Sequence, residues 1–392
     1  MFVNMLKTIK IDNFKSLKST EITLSKNSFL IGINGAGKTT LLQFIDFLSA
    51  ISVGKMEEWL EKREWHQKDL TFYGRQKSLI DIQVTFQLGP KSYKREMTFN
   101  SQNLKCTQES LYQQSGETYS TILSVNGGEY RLYAQSKDKI NFKYNGSILS
   151  ALEPDLLGDE LNSIQNFFHE IRSAELLNPV LMKKGAREAK NDIGLGGEKL
   201  SAFLNALSRE KKEQLHKTLK SFFPSIESYE TSSLRSGWKK LSVVEKHKNG
   251  LIETDSLHLS DGMLRILAIL SQLLTTESIL TFDEIEDGIN QEFVEKLVDT
   301  LLESHHQTIV ATHSPLLLNY LDDHIARESI LFVYKAQDGS TKIDNFFDVI
   351  AKHQNISNHE YDLFGPGEIM QRVNLLELTQ KRLREANNED SD

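Results

Sequence analysis

The stretch FLIGINGAGKTTLL, residues 29–42, decides what kind of fold this chain adopts. Its first three residues are apolar and predict a buried strand, while the residues from Thr40 onward are typical of a helix. The turn between them matches the phosphate-binding loop pattern G-x-x-x-x-G-K-[ST]. The pattern residues are Gly32, Gly37, Lys38 and Thr39. The sequence therefore predicts a strand, a phosphate-binding loop and a helix in direct succession.

The chemistry of this loop follows from its glycines and from its place before a helix. Glycines let backbone N–H groups turn inward around phosphates at a helix N-terminus, where the helix dipole favours an anion. Lys38 would reach the β- and γ-phosphates of a nucleotide, and the Thr39 hydroxyl would hold Mg²⁺. The predicted nucleotide contacts are Asn34, Gly35, Ala36, Gly37, Lys38, Thr39 and Thr40.

Length and composition limit the class of protein. A chain of 392 residues suits one elaborated domain or two lobes. No apolar run approaches the ~18 residues that a membrane span needs, and the N-terminus lacks the layout of a signal peptide. The single cysteine, Cys106, excludes an internal disulfide framework and fits a reducing cytosol. We therefore expect a cytoplasmic protein without membrane association.

The charge balance bears on nucleic acid as a partner. A formal net charge of −8 argues against strong non-specific nucleic-acid binding by the whole surface. Two local basic clusters stand out against that average: Lys183, Lys184, Arg187 and Lys190, and then Lys239, Lys240, Lys246 and Lys248. Because such clusters are more often solvated faces than DNA sites, nucleic acid is a secondary candidate partner.

The spacing of apolar residues predicts an α/β core with two insertions. Alternation in residues 6–24 predicts two strands, and a period of two from Leu79 predicts an antiparallel meander. From about Ala151 the spacing becomes helical, first through Ile171 and again from Leu200 to Leu219. The last third alternates short apolar strands with helices, which is typical of a parallel sheet with ligands at its carboxyl edge. The predicted fold is a mixed α/β head around the phosphate loop, with an inserted antiparallel β lobe and a helical lobe.

These patterns also predict boundaries. The expected units are a phosphate-loop core of residues 1–50 and 225–350, a β-rich insert of residues 51–150, a helical insert of residues 151–224 and a helical tail of residues 351–392. The polar composition of the last stretch, ANNEDSD at residues 386–392, predicts disorder at the end of that tail.

Two later strand ends carry candidate catalytic side chains. An apolar strand over residues 278–282 ends in Asp283 and Glu284. The first carboxylate can hold Mg²⁺ through its water shell, and the second can orient or deprotonate an attacking water. His313 ends the next predicted strand and is a candidate contact for the γ-phosphate. Since carboxyl ends of parallel strands share one edge, we expect these side chains near the phosphate loop.

The motif LSDG at residues 259–262 is a third piece and bears on assembly. The Ser260 hydroxyl and the backbone amides at a helix start form a second anion site. The helix that follows is expected to carry Gly262 away from the carboxyl edge where its own phosphate loop lies. This expectation points to a nucleotide on another subunit, although a plain N-cap serine explains Ser260 equally well on its own.

Four segments, in their order along the chain, resemble a known group. GINGAGKT, LHLSDGMLR, SILTFDE and IVATHSP look like the phosphate loop, signature, Walker B and switch histidine of ABC-type ATPases. The opening IKIDNFKSLKSTEITL is similar to that of the SMC, RecF and OLD (overcoming lysogenization defect) branch. The resemblance implies ATP and Mg²⁺ as ligands, Lys38 and Thr39 on phosphate and metal, Asp283 supporting the metal, and Glu284 as the general base.

The same resemblance implies a dimer through ATP, with a higher oligomer left open. Ser260 and Gly262 would contact the γ-phosphate in trans, and His313 would sense it. Ile289–Asn290 falls where the dimer-communicating D-loop is expected, and Lys15 would approach the nucleotide. Two features depart from the family pattern. Asp261 stands where many transporters have glycine, and Ser173 stands where the Q-loop glutamine is expected, which leaves Gln165 as the candidate.

Several kinds of ATPase remain to be separated. A transporter subunit has its signature about a hundred residues after the phosphate loop, and here the separation is more than twice that. An OLD-type nuclease carries a Toprim unit after the switch histidine, and the chain after His313 is too short for one. Its one Asp-x-Asp pair, Asp390 and Asp392, lies in the tail.

A stand-alone ATPase is therefore expected. It resembles the ATPase halves of two-gene bacterial antiphage systems, in which ATP-driven dimerisation or a trigger releases a separate effector. Residues 151–220 are the expected partner surface. The alternative is a DNA-maintenance clamp like RecF, in which the same ATPase closes on duplex DNA.

Overall fold

A computed structural model describes residues 4–175, 177–189, 192–276, 279–353 and 363–389. The strands are β1 (Met5–Asp12), β2 (Thr20–Thr23), β3 (Asn27–Ile31), β4 (Leu79–Leu88), β5 (Lys91–Asn100), β6 (Lys105–Ser115), β7 (Thr118–Asn126), β8 (Glu129–Leu132), β9 (Asp138–Lys139), β10 (Ile171–Ala174), β11 (Ile226–Ser233), β12 (Lys239–His247), β13 (Gly250–Asp255), β14 (Ile279–Asp283), β15 (Gln307–Ala311), β16 (Ile330–Lys335) and β17 (Thr341–Asn345).

The α-helices are α1 (Lys38–Val53), α2 (Met56–Lys62), α3 (Pro154–His169), α4 (Pro179–Met182), α5 (Leu200–Ala206), α6 (Arg209–Phe222), α7 (Asp261–Gln272), α8 (Gln291–Glu303), α9 (Pro315–Asn319), α10 (Asp323–Ser329), α11 (Phe346–His353), α12 (Pro366–Arg372) and α13 (Leu375–Glu389). Across the described ranges, none of the helices combines the length and the apolar character that a membrane crossing requires.

The phosphate-loop strand β3 lies inside a six-stranded sheet of order β10-β14-β15-β3-β16-β17. Neighbouring strands run parallel except for β16 and β17, which form an antiparallel hairpin. Because parallel strands present their carboxyl ends at one edge, the residues after β3, β14 and β15 meet there. The predicted mixed sheet around a phosphate-loop core is confirmed.

Both faces of this sheet are buried, so its strands are apolar throughout rather than alternating. Every residue of β3 is buried. Leu30 packs into a core shared with α1, α3 and the antiparallel sheet. Phe29 and Ile31 point to a second core, which contains the apolar faces of α7 and α8. The phosphate loop therefore rises from the strand that both cores hold.

An eight-stranded antiparallel sheet of order β2-β1-β4-β5-β6-β7-β8-β9 covers α1. In β4, Ile80, Ile82, Val84 and Phe86 are buried and alternate with partly exposed residues, as the period of two predicted. β1 pairs with β2 on one side and with β4 on the other. Strands from residues 1–50 and from residues 51–150 therefore belong to one continuous sheet.

The helical interpretation of the middle segment needs correction at β10, and one further strand lies just after that segment. Ile171, counted there as a helical residue, lies in β10 and pairs with Ile279 of β14. Four-residue spacing from Phe167 fits a helix, but α3 ends at His169, and sheet pairing decides the conformation of the residues that follow. β11 is a strand that the sequence pattern did not reveal.

The C-terminal segment is helical, with α13 reaching Glu389. Residues 386–389, for which disorder was predicted, therefore belong to a helix. Residues 390–392 lie outside the described part of the chain.

A buried ion pair joins the antiparallel sheet to α1. Arg95 Nη2 and Nε donate to Glu109 Oε1 at 2.6 and 3.0 Å, and both side chains are at most 1% exposed. Arg95 Nη1 donates to Ser52 Oγ in the last turn of α1 at 2.9 Å, and Ser147 Oγ donates to the Glu109 carboxylate. This polar cluster therefore links β5, β6, the loop that contains Ser147 and helix α1.

Neutralising Glu109 should destabilise the fold. Glu109→Gln leaves the Arg95 charge buried without a counter-charge, which we expect to cost about 3 kcal/mol or more. Urea unfolding followed by circular dichroism measures the loss. The matched control is Glu213→Gln, which removes the exposed pair with Arg209 and should leave the unfolding midpoint nearly unchanged. Equal urea unfolding midpoints for the wild type and Glu109→Gln would contradict a stabilising role for the buried ion pair.

Candidate active site

The turn after β3 is shaped by close packing against the β16–β17 hairpin. A Cβ on Gly32 would lie 2.1 Å from the Val333 carbonyl oxygen, and one on Gly37 would lie 2.1 Å from Thr341 Oγ1. Gly37 also has a φ of 112°, in the region that favours glycine. α1 then begins at Lys38 with neither a side-chain cap nor an acidic residue in its first turn. Its first N–H groups and the positive end of its dipole are therefore directed at the loop.

The first two residues of α1 bring together the loop and the end of β14. Lys38 Nζ donates to the Gly32 carbonyl oxygen at 2.8 Å, and Lys38 is 8% exposed. Burial lowers the pKa of Lys38, and the nearby carboxylate of Asp283 opposes that effect. Thr39 Oγ1 donates to Asp283 Oδ2 at 2.6 Å. Burial raises the pKa of Asp283, and the bond from Thr39 partly offsets the rise.

A cavity of about 360 Å³ surrounds this contact. It is lined by Lys15, Ser16, Asn34, Gly35, Ala36, Gly37, Lys38, Thr39, Thr40, Asp283, Glu284 and Lys335. The structure therefore brings the predicted loop residues, both acidic residues and Lys15 into one cavity, and it adds Ser16 and Lys335. A larger groove of about 510 Å³ lies on the outer face of the antiparallel sheet, and no phosphate-loop residue lines it.

Glu284 occupies a strained position at the edge of this cavity. Its φ is 47°, which is uncommon for a residue other than glycine, and its N–H donates to the Ala311 carbonyl oxygen at 2.9 Å. Burial and repulsion from Asp287 and Asp283 raise the pKa of Glu284. A carboxylate with a raised pKa at a strand end is suited to accept a proton.

His313 follows β15, and its ring lies near two glutamates. Nδ1 is 3.8 Å from Glu284 Oε1 and 3.7 Å from Glu286 Oε1. Glu286 Oε1 also accepts hydrogen bonds from Thr312 Oγ1 at 2.7 Å and from the His313 N–H at 3.2 Å. The sequence reasoning missed Glu286, although the string DEIE at residues 283–286 shows an acid two positions after Glu284.

Gln165, the candidate for the missing glutamine, does not line the cavity. It lies in α3, and its side-chain amide donates to the Leu149 carbonyl oxygen at 3.0 Å. The end of β10 is occupied instead by Glu175. Since Ala174 pairs with Phe282 in the parallel register, Glu175 and Asp283 are the next residues on adjacent strands.

Glu175 is a buried carboxylate that the sequence reasoning also missed. It is 5% exposed, and within the described residues its Oε1 has no hydrogen-bond partner. Arg63 Nη2 lies 3.5 Å from its other oxygen. Burial raises the pKa of Glu175 to about 7, against the opposing effect of Arg63. The available signal was the string IRSAE, a short segment that ends in an acid as SILTFDE does.

The donors gathered here suit a hard divalent cation. The Thr39 hydroxyl and the Asp283 carboxylate line the cavity and are oxygen ligands of the kind Mg²⁺ prefers, directly or through its waters. Glu175, the neighbour of Asp283 on the adjacent strand, does not line the cavity, so its unpaired oxygen is not counted among these ligands.

Lys15 reaches the cavity from the turn after β1. Its Nζ donates to Gln43 Oε1 at 2.8 Å and lies 3.5 Å from the centre of the Trp65 ring. Its φ is 47°, and its N–H donates to the Leu70 carbonyl oxygen. Burial lowers the pKa of Lys15 to about 8, partly opposed by Glu175. The structure thus places Lys15 beside the phosphate loop.

Ser260 and Gly262 lie at the start of α7 and do not line the cavity. Ser260 Oγ accepts a hydrogen bond from the Met263 N–H at 3.3 Å, as an N-cap does. A Cβ on Gly262 would lie 2.5 Å from the Gly288 carbonyl oxygen, in the loop after β14. The expectation that α7 carries Gly262 away from the carboxyl edge is therefore wrong. α7 runs back to the start of β14, so its own start lies at the strand's carboxyl end.

The fold and the cavity define a class: a phosphate-loop protein with a mixed α/β nucleotide-binding core. Residues 28–319 match the model of a family described as "AAA domain, putative AbiEii toxin, Type IV TA system". Because that match spans most of the chain, the protein belongs to this AAA family.

A curated relative and two solved structures are similar to this chain. The DNA replication and repair protein RecF of Clostridium tetani (strain Massachusetts / E88) is 26% identical over 222 residues, 54% of each protein. The chain thus spans about half the length of that relative. A SmcHead bound to the C-winged helix domain of ScpA has a TM-score of 0.54 at 14% identity, covering 88% of this chain and 99% of that one.

The second structure is an Smc head domain with an extended coiled coil, bound to the C-terminal domain of ScpA derived from Pyrococcus furiosus. It also has a TM-score of 0.54 at 14% identity, and the likeness covers 90% of this chain and all of that chain. At this identity the two structures show the shared fold alone.

Replacing Glu175 should change how stability depends on pH. The folded-state pKa of about 7 exceeds the ordinary 4.5, so Glu175 contributes stability below pH 4.5 that is lost as the pH rises through 7. Glu175→Gln removes that loss and should stabilise the protein at pH 8, by at most about 3 kcal/mol, with little effect at pH 4.5. Thermal unfolding between pH 4.5 and 8 measures the difference. The exposed Glu57→Gln is the control, and parallel pH curves for Glu175→Gln and the wild type would exclude the assignment.

Proposed function

We propose that this chain binds ATP with Mg²⁺ and hydrolyses it to ADP and phosphate. The observation that carries the proposal is the contact between Thr39 and Asp283 beside Lys38. It joins a phosphate-binding helix start to the acidic end of β14, which is what phosphoryl transfer to water needs. Membership of an AAA family supports the same reaction class.

The cavity residues divide the work in this proposal. Lys38 and the N–H groups of residues 34–40 hold the β- and γ-phosphates, and Lys15 adds a positive charge near the nucleotide. Thr39 and Asp283 hold Mg²⁺, which neutralises charge that develops on the phosphates. Glu284 orients the attacking water and accepts its proton, because its pKa is raised and it lies beside Asp283. His313 contacts the γ-phosphate from the end of β15.

Completion of the site by a second copy is part of this proposal. Ser260 and Gly262 lie outside the cavity of their own chain, yet the start of α7 faces the loop that follows Glu284. An anion at that helix start would be a phosphate bound by a partner copy. ATP would thus be enclosed between the phosphate loop of one copy and the LSDG motif of another.

Lys38→Ala tests the assignment of the phosphate loop. Loss of the buried ammonium should abolish ATP binding under conditions that saturate the wild type, a weakening of at least about 30-fold. Isothermal titration calorimetry with ATP and Mg²⁺ measures the affinity. Lys68→Ala, at an exposed position outside the cavity, is the matched control. Unchanged affinity in Lys38→Ala would refute the phosphate-loop assignment.

Glu284→Gln tests the two-copy site. The variant should bind ATP without hydrolysing it and accumulate as a dimer of twice the monomer mass. Size-exclusion chromatography with light scattering at saturating ATP measures this. The double variant Lys38→Ala/Glu284→Gln cannot hold ATP in this scheme and should stay monomeric. A monomeric Glu284→Gln protein at saturating ATP would remove the two-copy site from the proposal.

For the biological role, we propose that the ATPase acts as the sensor or regulatory engine of a separate effector protein in bacterial antiphage defence. The family description, which refers to a toxin of a type IV TA system, supports a two-component arrangement. Residues 151–220 offer the partner surface in this scheme. Stoichiometric co-purification with the product of a neighbouring gene would support it, and isolation of the chain alone from its native host would argue against it.

A DNA-maintenance clamp is the alternative, and the RecF match favours it. The two predicted basic clusters are adjacent in space, because Ala186 forms an antiparallel bridge with Lys239. Some of their charge is already paired, since Lys183 Nζ lies 2.7 Å from Asp261 Oδ1 and Lys240 Nζ lies 3.9 Å from Asp255 Oδ2. Lys190 lies outside the described residues. DNA binding that strengthens with ATP and weakens with salt would select the clamp.

A further inference from the structure

We propose that Glu286 is a positioning residue for His313, a role that rests on the proposed ATPase function and deepens it. Glu286 follows β14 and is directed toward the turn at the end of β15. Its side chain is 9% exposed, so the carboxylate is nearly excluded from water. A buried carboxylate is costly unless the groups around it use its charge and its lone pairs.

One oxygen of Glu286 holds the turn that presents His313. Oε1 accepts the Thr312 hydroxyl at 2.7 Å and the His313 N–H at 3.2 Å. Thr312 Oγ1 in turn accepts the Ser314 N–H at 3.0 Å. Three consecutive residues are therefore tied, directly or through one hydroxyl, to a single carboxylate oxygen. The backbone that carries the imidazole is held to the loop that carries Glu284.

The same oxygen faces the imidazole ring itself. Glu286 Oε1 lies 3.7 Å from His313 Nδ1, within ion-pair reach and beyond hydrogen-bond length. Glu284 Oε1 lies 3.8 Å from the same nitrogen. Two carboxylates on the Nδ1 side favour a hydrogen on Nδ1 and leave Nε2 as the nitrogen available to a phosphate. Glu286 thus sets both the place and the tautomer of His313.

The second oxygen of Glu286 distinguishes a positioning role for His313 from a purely structural role. Within the described residues, Oε2 is buried without a hydrogen-bond partner. A neutral glutamine would supply the same acceptor for Thr312 and for the backbone without a buried charge. Lys38 and Asp283 also feel this charge, but the His313 ring is the group that lies within ion-pair reach of it. We therefore assign the negative charge to the ring.

A double-mutant cycle tests the proposal. Steady-state ATP hydrolysis is measured for the wild type, Glu286→Gln, His313→Ala and the double variant. We expect Glu286→Gln to lower kcat about 10-fold with little change in KM, because Glu286 does not line the phosphate-loop cavity. In the His313→Ala background the same substitution should change kcat less than about twofold, because Glu286 acts through the ring.

A spectroscopic signature completes the test. The ¹⁵N shifts of the His313 ring report its tautomer, and they should move in Glu286→Gln and return toward the wild-type values in Glu286→Asp. Glu292→Gln, an exposed acid in the first turn of α8, is the matched control and should change neither kcat nor these shifts. Thermal unfolding confirms that each variant is folded, and Glu286→Met, a neutral side chain of similar length, replaces Glu286→Gln in the cycle if the latter is not.

The outcomes separate this inference from the function on which it rests. Equal effects of Glu286→Gln in both backgrounds, or unchanged ring shifts, would overturn the role of Glu286 and leave ATP hydrolysis standing. A wild-type protein that binds ATP and never hydrolyses it would overturn the proposed ATPase function, and this inference with it.

Discussion

The hydrogen bond between Thr39 and Asp283 joins residues 244 positions apart, and most of the architecture is needed to form it. Strand β15 must lie between β3 and β14, all three must run parallel, and α1 must cross the face of the sheet above them. The two hydrophobic cores on either side of β3 hold that geometry. Burial of apolar surface therefore stabilises a contact that is polar and that serves the chemistry.

Negative charge is concentrated at the edge of the sheet where phosphate would bind. Glu175, Asp283, Glu284 and Glu286 lie at or just after the ends of adjacent strands, and burial raises the pKa of the first three. Such crowding weakens the folded state, since each carboxylate loses water and repels its neighbours. A bound cation would offset this repulsion. Strained and charged groups of this kind are usually found at functional sites.

The two candidate biological roles share the nucleotide site and differ in what is attached to it. α1 connects that site to the antiparallel sheet through Ser52 and Arg95, and Lys15 connects it to the segment of Trp65 and Leu70. A change of conformation at the phosphates has physical routes into both regions. The two roles have the nucleotide site in common. Whether the binding partner is a protein or DNA therefore depends on surfaces remote from that site.

The sequence alone determined the phosphate loop, the acidic end of β14 and the position of His313, because each depends on local pattern: glycines before a helix, or an apolar strand followed by polar residues. Tertiary structure decided what local pattern cannot encode. Ile171 belongs to a strand because β14 pairs with it, and the same pairing places Glu175 next to Asp283 on the adjacent strand. Glu286 contacts Thr312 and His313 across two strand ends, and Gly262 packs on Gly288. These contacts join residues that are distant in sequence. They form only when the strands pair in the observed register, so a local sequence pattern cannot predict them.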